Sequence, residues 1–147
     1  GVVDRIGLSN FRPDQLDEAI DRLDHDVFAH QVECHPLLQQ GTLRERAAEH
    51  DHWLVAYSPI ARNRVADVGV LREIAAARDA TPAQVSLAWL LSKERVAPIP
   101  KAADFGHVAD NWAAREIDLR DGGIARIDAL DRRERIVDFE RAAWNRD

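Results

Sequence analysis

A repeated alternation constrains this 147-residue chain more than any other feature. Short runs rich in β-branched and aromatic residues, at 1–8, 27–34, 53–57 and 96–99, are each followed by stretches with helical apolar spacing. The repeat is roughly thirty residues, the length of a strand with its crossover helix. Such alternation predicts parallel strands joined by helices. Polar residues gather where the runs end: Ser9 and Asn10, Glu33 and His35, Tyr57 and Ser58, Lys101. In a (β/α) barrel that end carries the function. Four units make half a barrel, since a closed one takes about 250 residues. No Gly-x-Gly-x-x-Gly follows any run, so the Rossmann fingerprint is absent.

The helices read as follows. Pro13 suits a first helical position, with Leu16, Ala19, Ile20 and Leu23 turned inward. A second helix is expected over 42–50, with Leu43 and Ala47 inward. Two more follow over 67–78 and 82–93, the latter capped by Thr81 and opened by Pro82. Asp104 is expected to cap a helix carrying Phe105, Val108 and Trp112 on one face. A last helix over 121–132 presents Ile124, Ile127 and Leu130. Residues 136–147 have no clear period and read as a tail containing Phe139 and Trp144. Trp53, Trp89 and Trp112 are expected in the core, and His50 and His52 in solvent.

Charge and composition narrow the function classes. Acidic residues outnumber basic ones, 26 to 20, and only Lys93 and Lys101 are lysines. With no basic stripe, nucleic acid is not an expected partner. The longest apolar runs, such as 87–91, are too short to span a bilayer. The acidity reads either as a solvated surface in an arginine-rich background or as adaptation to high salt. Cys34 is the single cysteine, so no internal disulfide can form. No basic-then-apolar leader opens the chain, and a cytoplasmic location is the expectation. The sequence holds no methionine and begins on a strand-like run. The expectation is therefore the tail of a longer polypeptide, the alternative being loss of an initiator Met before Gly1.

Ser9 and Asn10 carry donors and acceptors suited to a carboxamide, and both types also favour turns. Gln31, Glu33 and His35 alternate, so they share a strand face, either barrel interior near a ligand or an exposed edge. His35 has no second His or Cys at ligand spacing, and no metal site is assigned. Tyr57, the sole tyrosine, either packs or stacks its ring on a ligand. Lys101 ends a strand just before a helix start, where an anion is favoured.

Four stretches then match a known family in order and spacing: 6–11 (IGLSNF), 31–36 (QVECHP), 56–60 (AYSPI) and 99–101 (IPK). The chain resembles the aldo-keto reductases over nearly its whole length, from the fifth strand of their barrel to the C-terminal loop. The resemblance implies an α/β fold, a partial (β/α)8 TIM barrel made of the last four βα units, and one domain over 1–147. It implies NADPH or NADH bound in extended form, and a small carbonyl compound as the substrate of the intact family. By position, Ser9, Asn10 and Gln31 would bond the carboxamide, and Tyr57 would stack on the nicotinamide. Ser58 and Ile60 would lie along the pyrophosphate. Lys101 would meet the adenosine phosphate, and Asp110 and Asn111 would bond adenine.

Two departures stand out. Ala102 and His107 occupy positions where the family often has Ser or Thr and Arg, which hold the 2′-phosphate of NADP. The resemblance implies weakened NADPH preference, with NADPH gaining at lower pH because imidazole titrates near neutrality. The tyrosine, lysine, aspartate and histidine of the family's catalytic centre come from the first half of its barrel, and no residue here replaces them. No catalytic residue is assigned, and the chain alone is expected to be inactive. The alternatives are a non-enzymatic dinucleotide-binding or regulatory half barrel, or a remnant of a disrupted gene. Open sheet edges predict self-association.

Overall fold

The computed structural model describes residues 1–119, 122–140, 142 and 144. Strands β1 (Ile6–Ser9), β2 (Val27–Glu33), β3 (Trp53–Tyr57) and β4 (Val96–Pro98) form one parallel sheet in chain order. Helices α1 (Pro13–Arg22) and α2 (Gly41–Glu49) make the first two crossovers. The third holds a 3-10 stretch, Ala61–Asp67, then α3 (Gly69–Ala76) and α4 (Pro82–Leu91). After β4 come α5 (Phe105–Ala113), a short 3-10 turn at Ala114–Glu116, and α6 (Gly123–Asp128). No helix among the described residues is long and apolar enough to cross a membrane.

Local chemistry sets the helix starts. Thr81 Oγ1 accepts from the Gln84 N–H at 3.2 Å, while Gln84 Oε1 accepts from the Thr81 N–H at 2.9 Å, a reciprocal cap ahead of Pro82. Gln15 returns the same bond to the Arg12 N–H before Pro13. The helix expected from residue 67 starts at Gly69, because Arg62 and Asn63 hold left-handed backbone and Val68 is extended. The first strand begins at Ile6 rather than residue 1. Val2 and Val3 are exposed and find no partner strand. The helix expected over 121–132 appears as α6. Its first expected residue, Asp121, lies outside the described residues, as do 141, 143 and 145–147 of the tail. Arg133 is drawn into a bridge with Leu38, which ends helical geometry early.

The sheet buries one face. Val32, Leu54, Ala56 and Val96, with His30, pack into a core with Leu16, Leu43, Ala47, Val85, Trp89 and Leu90. On the other face Gly7, Ser9, Gln31 and Trp53 are exposed, and Ala29, Val55, Tyr57 and Ala97 are half-buried. All-parallel sheets occur almost only with both faces covered. Here one face carries the helices and the other carries mostly small and polar groups.

Three expectations on side chains are corrected. Trp112 is 67% exposed and Trp53 38%, so of the three tryptophans expected in the core only Trp89 is buried. Trp112 lies on the α5 face with Phe105 and Val108, which are also exposed, and the Arg115 guanidinium covers its ring at 3.9 Å. The spacing gave these three a common face, but among the described residues no element buries it. His52 is fully buried instead of solvated, because it sits one residue before β3 and turns into the layer beneath the sheet, 6.5 Å from the His30 ring. His50 is exposed as expected.

Candidate functional site

The parallel register aligns the polar strand ends. Ser9 pairs with Gln31, and Glu33 pairs with Tyr57. Partners in a ladder point to the same side, and Gln31 and Glu33 are two apart, so all four side chains share the face opposite the helices.

Hydrogen bonds fix this corner. Ser9 Oγ donates to the Gln31 carbonyl at 3.2 Å, and the Asn10 N–H donates to the same oxygen at 2.9 Å. Asn10 has left-handed backbone, φ 59°, a conformation asparagine tolerates. The next N–H, of Phe11, donates to His30 Nε2 at 3.1 Å. The Tyr57 hydroxyl donates to Asn10 Oδ1 at 2.9 Å. That bond leaves the Asn10 amide hydrogens, and the whole Gln31 amide, without hydrogen-bond partners among the described residues. The neighbouring strand ends thus present free amide donors from Asn10 and Gln31 and a free amide oxygen from Gln31, which fits a carboxamide ligand. Burial, and then the nearby Glu33 charge, pushes the Tyr57 phenol above its ordinary value. It stays a neutral donor through the physiological range.

Glu33 is the residue that sequence reasoning passed over. It appeared among the polar strand-end residues and as one of three alternating polar residues, with no role assigned to it. In the structure it is fully buried, and Oε1 lies 3.0 Å from His35 Nε2. The Ile136 N–H donates to Oε1 at 2.7 Å and the Val137 N–H to Oε2 at 3.0 Å. Burial raises its carboxyl pKa, but the bonds from His35, Ile136 and Val137 outweigh that and hold it below the ordinary value. The available signal was an acid flanked by Val32 and Cys34, both apolar, at the strand end. A carboxylate placed there needs buried partners.

Ser58 follows with φ 48°, and its carbonyl accepts from the Ala61 N–H at 2.8 Å. Ser86 Oγ donates to the Pro59 carbonyl at 2.7 Å in the interior, tying this loop to α4. Ile60 packs its side chain against the core, so only its backbone is available to a ligand.

The fourth strand end is assembled less completely. Lys101 and Asn111 line one cavity of about 610 Å³ together with Pro100, Ala102 and Trp112. His107 and Asp110 do not line it. His107 Nδ1 is paired with the Asp104 carboxylate, whose other oxygen accepts the His107 backbone N–H at 2.9 Å. Those two bonds from His107 hold the Asp104 carboxyl below its usual range. The start of α5 is thus capped by Asp104, as expected, and this carboxylate stands beside the helix end where an anion was expected to be favoured. Asp110 is exposed, and its carbonyl accepts from Gln84 Nε2 at 3.1 Å. Lys101 has no ion-pair partner among the described residues.

Comparison with known proteins bears on this arrangement. A model of the "Aldo/keto reductase family" matches residues 1–132, the N-terminal part of this chain. The chain is 34% identical over 134 residues to the 9,11-endoperoxide prostaglandin H2 reductase of Trypanosoma cruzi, covering 89% of this chain and 47% of that protein. It is 32% identical over 136 residues to the glyoxal reductase of Bacillus subtilis, covering 92% and 49%. Among solved structures, a thermostable aldo-keto reductase in complex with epalrestat superposes with a TM-score of 0.80 at 35% identity, over 86% of this chain and 48% of that one. The chain spans about half the length of the curated relatives it matches.

Proposed function

The chain belongs to the aldo/keto reductase family, and from that premise we propose that it supplies the dinucleotide-holding, C-terminal half of a (β/α)8 barrel. The whole barrel reduces aldehydes or ketones to alcohols with NADH or NADPH. The observation that carries this reading is the convergence of Ser9, Asn10, Gln31 and Tyr57 on one sheet face at the strand ends. The uncovered face and a length half that of the relatives support the half-barrel part.

Ser9, Asn10 and Gln31 bind and orient the nicotinamide carboxamide, and Tyr57 lies against the ring. The Ser58–Ile60 segment runs beside the pyrophosphate, Lys101 takes the adenosine phosphate, and Asn111, with Asp110 beside it, meets adenine. The dinucleotide, when bound, supplies the hydride. Within this chain no side chain is assigned to donate the proton that the carbonyl oxygen needs, since Tyr57 is committed to Asn10.

The reading is tested by titrating the 147-residue chain with NADH and following tryptophan fluorescence. Saturable, weak binding is expected. Lys101→Ala is expected to weaken it about ten- to a hundredfold, the worth of a charge-assisted bond to phosphate. No saturation at millimolar NADH refutes the reading.

His107 adds a cofactor prediction. Its imidazole adjoins the Asp104 carboxylate, which puts negative charge where a 2′-phosphate would sit, and Ala102 offers no donor. NADPH is expected to bind no more tightly than NADH at pH 8. Parallel titrations with the two dinucleotides at pH 8 check this. A large NADPH advantage at pH 8 contradicts it.

A further inference from the structure

The buried Glu33 carboxylate has no part in the proposed binding of the dinucleotide. Its partners, apart from His35, come from one place. Ile136 and Val137 give it two backbone N–H bonds, and the Arg135 guanidinium lies 3.7 Å from Oε2. The same tail begins its approach in the loop directly after β2. Leu38 bridges Arg133, and the Glu134 N–H donates to the Leu37 carbonyl at 2.8 Å. Arg135 then turns toward the Tyr57 hydroxyl. The Trp144 ring stacks on its guanidinium at 4.1 Å, and Trp144 Nε1 donates to Asp138 Oδ1 at 2.9 Å. Asn10, Arg135 and Trp144 line one small pocket at this corner.

We propose that Glu33 is a positioning residue: its carboxylate clasps the 135–137 segment across the mouth of the sheet and holds Arg135 against the Tyr57–Asn10 pair. The segment is a strap over the corner assigned above to the nicotinamide, and for what it covers the proposal rests on that reading. Chemistry favours an acid in this role. A carboxylate accepts two backbone N–H groups and a histidine at once, each bond strengthened by charge. A glutamine at the same place presents one acceptor and a donor turned against another N–H. The clasp therefore depends on the negative charge, with His35, Arg135 and Tyr57 as the titratable groups that face it.

Hydrogen exchange on the full chain, without dinucleotide, tests the clasp. In the wild type the amides of Ile136 and Val137 are expected to be protected. In Glu33→Gln they are expected to exchange at least tenfold faster, while the β2 and β3 ladder amides hold. Unchanged exchange at 136 and 137, or loosening spread evenly through the sheet, overturns the proposal. A second variant keeps the question answerable if Glu33→Gln fails to fold. Arg135→Leu leaves the two clasped amides protected but removes the positive charge facing Tyr57. Because Tyr57 is the sole tyrosine, its titration is read directly from ultraviolet absorbance, and it is expected to move to higher pH. A phenol titration that does not move refutes the placement of Arg135. With NADH added, both variants are expected to release it at least threefold faster than wild type. Release at the wild-type rate overturns the strap's cover. If the wild type binds no NADH, the dinucleotide reading fails, and the clasp is judged on exchange and phenol titration alone.

Discussion

Trp89→Ala is expected to cost about 3–5 kcal/mol, enough to unfold most of the chain in water. The indole is fully buried among α4, α6 and the sheet. Its N–H donates to Asp128 Oδ1 at 2.8 Å, and Asp128 is also paired with Lys93 at 2.6 Å. Burial pulls the Asp128 carboxyl up, but the bonds from Lys93 and Trp89 bring it below the ordinary value. Removing the ring opens a large cavity and strips a donor from that carboxylate. Trp112→Ala, by contrast, is expected to change stability by less than about 0.5 kcal/mol, because its ring is largely in solvent. Urea denaturation of the two variants checks the pair. Equal losses would mean that α5 is packed as the sequence spacing suggested.

Acid is expected to weaken the fold by about 2–3 kcal/mol between pH 7 and 4.5, through His30. Burial, and then the neighbouring His52, lowers the His30 pKa to about 4 from an ordinary 6.5. Between those two values the unfolded chain binds a proton that the folded chain refuses. Stability is therefore full above pH 6.5 and falls as pH drops toward 4. His52, lowered by burial and by His50, adds in the same direction. Glu33, held below its ordinary value, adds a further loss only beneath about pH 4.5. Protonation also removes the acceptor that Nε2 offers to the Phe11 N–H, so the Asn10 turn loosens along with the core. His30→Gln keeps an acceptor and drops the titration. It is expected to lower stability at pH 7 and to flatten the slope down to pH 5. Urea midpoints at pH 7.5 and 4.5 measure both effects, and an unchanged slope rules out His30 as the source.

Much of the fold was legible because its signals are local. The Thr81–Gln84 cap, Pro13 and the run at 53–57 each act within a few residues, and the structure returns them nearly as read. Asp104 and His107 belong to the same local class. Asp104 was read as the cap of α5, but its pairing with the His107 side chain was not read, although the two lie only three residues apart. What stayed hidden depends on distant parts of the chain. Periodicity assigned Phe105, Val108 and Trp112 to one face correctly but says nothing about what covers a face. Glu33 meets partners more than a hundred residues away. His52 followed a helix and looked solvated, yet the turn into β3 carries it under the sheet. Of the candidate site, Ser9, Asn10, Gln31 and Tyr57 come together because the strand register follows from chain order. The Lys101 corner assembles only in part, because α5 turns His107 toward its own cap.

Among the described residues the sheet has two unpaired borders, the outer side of β1 and the outer side of β4, and both strands run in the same sense. Contact between the β4 border of one molecule and the β1 border of another is head-to-tail, using two different patches rather than one patch twice. Such contacts obey a rule of rotation. If each step turns through half a circle, two molecules complete a ring and no border remains; if it turns by any angle that does not close, molecules add without end as a filament. Were such contacts to form, the sheet's curvature would decide between a finite ring and an unlimited polymer.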